Sequence, residues 1–287
     1  MAHKSLHILV GLDLSKMDPY LIDYMKTLNQ IFNIDKVTFL HNIKIGELPK
    51  DLLSDEQLKI IQKRIKKRVD DLVEKADLSF SCETKVTMEN LSEVAFHQLG
   101  KQQHFDLLVL GNKQELEGNG ALSYKLLRLF PSPVLVVPEN FKTPIKTIVN
   151  AITFSRYTKN VLRWAERFTS SEKDNSIEAL SVNISKIFYY PLMSDKEAKK
   201  AAQEDIKQKK KKWKKNFQDF GEINIVKAEE KSVPNALLSF AKNNQADIVV
   251  LGVKSNSIIR NLMVGSVAND LFTRASNIAL LFVKSSS

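Results

Sequence analysis

The sequence predicts two tandem α/β domains, each an open five-stranded, mainly parallel sheet with helices on both faces. Three observations lead there. The 287-residue length suits two domains of roughly 100–200 residues. An internal repeat runs through the chain. Within each copy, strand and helix signals alternate, as they do where a parallel sheet is covered on both faces.

The repeat is read by offset. Ile8-Leu9-Val10-Gly11-Leu12-Asp13-Leu14-Ser15 aligns with Ile148-Val149-Asn150-Ala151-Ile152-Thr153-Phe154-Ser155 at a shift of 140. Asp106-Leu107-Leu108-Val109-Leu110-Gly111 aligns with Asp247-Ile248-Val249-Val250-Leu251-Gly252 at 141. Val134–Val137 aligns with Ala279–Phe282 at 145. The jump of four places a deletion in the first copy between Gly111 and Gly120.

In the first copy, Leu6–Leu12 is a continuous apolar run, the mark of a strand buried on both faces. Pro19 opens a helix through Ile31, with Leu21, Ile22, Met25 and Leu28 along one side. Val37–His41 is a strand. Ser54–Ala76 is a long charged helix with Leu58, Ile61, Ile65, Val69 and Leu72 at helical spacing. Phe80–Val86 is a strand, Leu91–Lys101 a helix and Leu107–Leu110 a strand. Leu122–Phe130 is a helix, and Val134–Val137 the last strand, with Pro131 and Pro133 keeping the helix from running on. The second copy repeats this order, with strands near Thr147–Ile152, Ile177–Val182, Ile223–Lys227, Ile248–Leu251 and Ala279–Val283. Its helices fall near Thr158–Phe168, Asp195–Phe220, Pro234–Asn243 and Val264–Arg274. Pro138–Pro144 has two prolines and no period, so it reads as the linker. The domains are 1–140 and 145–287.

Composition narrows the class. Hydrophobic residues are 43% and charged residues 26% of the chain, enough apolar content for a packed core in each half. The lone Cys82 permits no intramolecular disulfide, and its place inside a predicted strand reads as a small buried residue. No apolar run reaches the roughly 18–20 residues that span a bilayer. The start reads as a first strand rather than a secretory signal, so a cytoplasmic protein is expected. The net charge of +10 is uneven. Residues 1–143 hold 19 Lys+Arg and 19 Asp+Glu, and the remainder 24 and 14. Most of the excess is ten lysines in Lys196–Lys215.

Ligands of open parallel sheets bind beyond the carboxyl ends of the strands, where strand order reverses. That directs attention to the loops after the first and fourth strands of each copy. In the second copy the later loop carries Gly252, Ser255, Gly265 and Ser266 ahead of a helix. Glycine lets backbone N–H groups approach a phosphate, and a helix N-terminus adds free donors and a positive dipole end. The same residues also suit a plain turn and a helix cap.

At these positions the chain resembles the universal stress protein family. The family's nucleotide binders carry Gly, two residues, Gly, nine residues, then Gly with Ser or Thr. Here the second half has Gly252, Ser255 and Gly265-Ser266, one glycine being replaced. Asp13 with Ser15, and Pro131-Ser132-Pro133-Val134, match the family's first strand tip and last strand. The resemblance implies a Rossmann-like, adenine-nucleotide-hydrolase-like fold in two copies. It also implies an ATP-like ligand, with Mg²⁺, in some members and none in others. Each half departs from the binding pattern. The first keeps Asp13 but has a shortened loop with Glu115 and Glu117. The second keeps the loop but has Thr153 in place of the acid, and a threonine cannot neutralise Mg²⁺. A nucleotide is therefore expected in the second half, at Gly252, Ser255, Gly265, Ser266 and Thr153, with Val182 near the base. Asp13 is the weaker candidate of the first half. The resemblance further implies that the two last strands meet, making an intramolecular pseudo-dimer, with a further homodimer as an extension.

No catalytic role is expected. The five histidines all lie in the first half and form no zinc-ligand spacing, and no Gly-x-Ser-x-Gly elbow is present. The lysine-rich segment is read first as a solvated helix face with Trp213 and Phe217 packed inward, and second as a nucleic-acid contact. Two principal readings remain. One is a stress-response regulator that binds an adenine nucleotide. The other is a non-binding scaffold that acts through protein contacts.

Overall fold

The computed structural model describes residues 5–113, 116, 121–170, 176–185, 194–228, 232–253, 271 and 277–284. The first half runs β1 (Leu6–Leu12), α1 (Asp18–Asn29), β2 (Ile34–Ile43), α2 (Asp55–Lys75), β3 (Ser81–Met88), α3 (Ser92–Gln102), β4 (Leu107–Asn112), α4 (Ala121–Leu129) and β5 (Val134–Pro138). The second runs β6 (Thr147–Ala151), α5 (Thr158–Thr169), β7 (Glu178–Ser185), α6 (Asp195–Asn216), β8 (Ile223–Lys227), α7 (Val233–Asn243), β9 (Ile248–Gly252) and β10 (Ala279–Val283). The helix expected at Val264–Arg274 lies outside the described residues, apart from Leu271.

All ten strands form one sheet, in the order β3-β2-β1-β4-β5-β10-β9-β6-β7-β8. Within each half every pairing is parallel. The halves join where β5 meets β10 antiparallel, with Leu280 opposite Val136 and Leu281 opposite Leu135. Strand order reverses between β1 and β4, and again between β6 and β9. Each half therefore opens a crevice at that point.

The strands alternate their side chains between two cores. On β1, Ile8, Val10 and Leu12 join α1, α2, α5 and α6, whereas Leu9 joins α3, α4 and α7. This is why these strands read as unbroken apolar runs. An aspartate anchors each half: Asp106 accepts the His7 N–H, and Asp247 accepts those of Lys146 and Thr147.

One helix is covered less than its apolar period alone conveys, and two expectations need correction. Along α2, only Val69 and Val73 are buried, because its first turns overhang the carboxyl edge of the sheet and leave Leu58, Ile61 and Ile65 half-covered. The helix predicted for Asp195–Phe220 stops at Asn216. Phe217 leaves helical geometry, and a 3₁₀ turn (Gln218–Phe220) leads to Gly221 at φ 72°, where a side chain would be strained. Cys82 is exposed, because β3 is an edge strand and the residue has no second neighbour to cover it.

Candidate functional site

Both crevices begin with the same turn. After β1 and β6 the chain passes through Leu14 and Phe154, whose φ values are 61° and 54°. A left-handed non-glycine residue costs on the order of 1–3 kcal/mol. The turn aims the residues before and after it, Asp13 with Ser15 and Thr153 with Ser155, at the strand tips. The glycines closing β4 and β9 serve the helices that start here. A Cβ on Gly111 would meet Met17 Cγ at 2.6 Å, and one on Gly252 would meet Tyr157 Cβ at 2.6 Å. Gly252 thus lets α5 sit close against β9, a packing requirement independent of any ligand.

The first crevice is a cavity of about 770 Å³ at the ends of β1, β2 and β4, with Asp13, His41, Ser92, Lys113, Ser123 and Lys125 among its lining. Its charges are already matched. Lys113 Nζ lies 2.6 Å from Asp13 Oδ2, and Lys125 Nζ lies 2.6 Å from Glu93 Oε1. Burial works against charge on Asp13, but hydrogen bonds from Lys113 and Ser15 hold its carboxyl below the usual carboxylate range. Beneath it, Asp18 accepts the backbone N–H of Asp13 at 3.1 Å and of Leu14 at 2.9 Å. Burial, joined by the charge of Asp13, pushes the Asp18 carboxyl up to about 7 against the pull of those two donors. His41 Nδ1 donates to the Leu12 carbonyl at 3.0 Å, and burial lowers its pKa.

The second crevice has the same scaffold with different chemistry. Thr153 and Ser155 share a hydroxyl hydrogen bond of 2.8 Å where the first half has an acid. Thr158 stands where Asp18 stands, buried, with no partner for its hydroxyl among the described residues. Asn183 stands where His41 stands, and its Nδ2 donates to the Ile152 carbonyl at 2.6 Å. From α6, Lys212 Nζ reaches the Phe154 carbonyl at 3.4 Å and lies 5.4 Å from the Phe154 ring centre. Among the described residues this tip carries an ammonium and two hydroxyls, and no carboxylate.

Of the candidate residues, Thr153 sits at the tip and Gly252 at the end of β9. Val182 lies inside β7, 1% exposed and packed in the α7-side core. Ser255, Gly265 and Ser266 lie outside the described residues, as do Glu115 and Glu117. The sequence reading missed Asp18, Lys113 and Lys212. Asp18 had a signal in its place just before Pro19 at a helix start; Lys212 had none, because α6 is brought to the tip by tertiary packing. A protein-held Mg²⁺ does not fit the second tip. Its described groups are neutral or cationic, and no cluster of three His, Cys, Asp or Glu side chains forms among the described residues.

Residues 144–284 match the model of the universal stress protein family. Among solved structures, the chain is similar to a universal stress protein from Archaeoglobus fulgidus DSM 4304. The identity is 16% and the TM-score 0.70, over 99% of this chain and 100% of that one. It is also similar to a functionally unknown protein from Pseudomonas aeruginosa PAO1, at 13% identity and a TM-score of 0.64, over 98% and 92% of the two chains. Likeness at such identity speaks to the fold. No curated protein matches the chain. No helix among the described residues is long and apolar enough to cross a membrane.

Proposed function

We propose that this chain, whose residues 144–284 belong to the universal stress protein family and whose first half repeats their fold, is a stress-response regulator that binds an adenine nucleotide in its second half and acts by binding rather than catalysis. One observation carries the choice of half. The strand tip after β6 offers Thr153 and Ser155 hydroxyls under the Lys212 ammonium, an arrangement that attracts phosphate. The tip after β1 presents Asp13, a carboxylate that repels phosphate unless a cation intervenes. Lys113 is engaged in pairing with that carboxylate at 2.6 Å, so this tip keeps no net positive charge for a phosphate. Gly265-Ser266 would complete the cradle with backbone N–H groups and a hydroxyl. Any metal would arrive on the ligand's own phosphates.

Calorimetric titration with ATP, with and without Mg²⁺, tests this. Saturable heat is expected. Gly265→Val and Thr153→Asp should each weaken binding about tenfold or more, the first by filling the cradle and the second by repelling phosphate. Absence of heat and of thermal shift at millimolar nucleotide would leave the scaffold reading in its place.

A further inference from the structure

A second pocket lies away from both crevices, at one end of the join between the halves. It has a volume of about 370 Å³ and is bounded by the α4–β5 connection, the start of β4, α5 and the end of β10. Asn160, Arg163, Arg167 and Lys284 face it together with His104 and Asp106.

Its centre is an unusual lysine. Lys284 is 6% exposed, and its ammonium donates to the Phe130 carbonyl at the end of α4. It forms no ion pair among the described residues. Burial lowers its pKa to about 8. A buried cation without a counter-charge is costly, and two more cations, Arg163 and Arg167, line the same pocket. The Arg167 guanidinium lies 4.8 Å from the Trp164 ring centre, which fixes its plane. The acid of the pocket, Asp106, is engaged by the His7 N–H at 3.0 Å and by His104 Nε2 at 3.4 Å.

The repeat supplies an internal control. At the other end of the join, Glu139 occupies the position of Lys284, Asp23 that of Arg163 and Thr27 that of Arg167. The fold is satisfied there with two acids and a hydroxyl. It therefore does not demand three cations here, and their gathering calls for an anion.

We propose that this pocket binds a small phosphate monoester, its oxyanion held by Lys284, Arg163 and Arg167 and its organic body against Pro131, Pro133 and Val283. The cavity exceeds a single phosphate, and those three apolar residues line it beside the cations. Guanidinium groups favour oxyanions through paired hydrogen bonds. The site is independent of the nucleotide crevice, so either can fail without the other.

The test uses the full chain, with phenyl phosphate and inorganic phosphate as probes and the indole N–H resonances of Trp164 and Trp213 as readout. Phenyl phosphate should shift the Trp164 signal saturably and leave that of Trp213 in place. Arg163→Gln, at an exposed position that should not disturb folding, and Arg167→Gln should each weaken binding about tenfold. Inorganic phosphate should bind more weakly than the monoester. The proposal is overturned if Trp164 does not respond, if Trp213 responds instead, or if both arginine variants bind as the parent does. It is also overturned if inorganic phosphate binds as tightly as phenyl phosphate.

Discussion

Asp18 and Thr158 occupy one position in two copies of one turn, and the pair shows how a single residue sets the character of a crevice. Asp18 holds the Asp13–Leu14 turn through two N–H bonds while buried beside another acid. Its folded pKa, about 7, is above the ordinary aspartate value of 3.8. Between those values the folded state binds more protons than the unfolded state, so this residue's contribution to stability falls as pH rises. Asp18→Asn should therefore gain stability relative to the parent as pH goes from about 4 to about 7, and hold level beyond. Thermal unfolding of both proteins across that range checks it; a pH-independent difference would mean that Asp18 is ionised throughout. Thr158 cannot titrate, so the second turn carries no such dependence. In the sequence the aspartate was visible, but its partners were not, because a side chain reaching back to the turn before its own helix is a feature of the folded loop.

At the scale of elements, the long helices show what periodicity can and cannot tell. The sequence showed α2 by its apolar spacing and α6 by its place in the repeat; in the structure both begin at N-cap serines, Ser54 and Ser194. Ser194 forms a reciprocal capping box with Glu197. The extent of burial was not legible, because it depends on where the sheet ends beneath the helix. On α6 the fixing point is Trp213, which is 3% exposed, donates from Nε1 to the Gly221 carbonyl at 2.9 Å and meets Phe154 edge-on. Lys212, its neighbour, reaches the Phe154 carbonyl from the same turn. Trp213→Ala should cost about 3–5 kcal/mol in chemical unfolding. It should also reduce any nucleotide affinity more than Lys210→Ala, a change on the exposed face. Equal effects of the two variants on affinity would show that α6 does not position the tip.

For the whole molecule, the join between β5 and β10 makes one body of two repeats. Both strands are fully buried at the centre of the ten-stranded sheet, with hydrogen-bonded neighbours on each side. Separating the halves would expose two apolar edges at once. The chain should accordingly unfold in a single transition by scanning calorimetry, with the amides of β5 and β10 among the slowest to exchange. Two resolved transitions, or fast exchange at the join, would mean that each half is stable alone.

By itself the sequence determined the elements, their order and their duplication. Hydrophobic period, proline and capping residues act locally, and a parallel sheet leaves an unbroken apolar signature in every strand. It also pointed to the strand ends as candidate sites, since ligands of open parallel sheets bind beyond the carboxyl ends of the strands. The charges that meet were decided only by tertiary structure. Lys113 against Asp13, Lys212 over the Phe154 turn, and Lys284 beside Arg163 and Arg167 are brought together from distant positions. An ion's energy depends on distance and on burial, and neither exists until the sheet has closed and the helices have settled upon it.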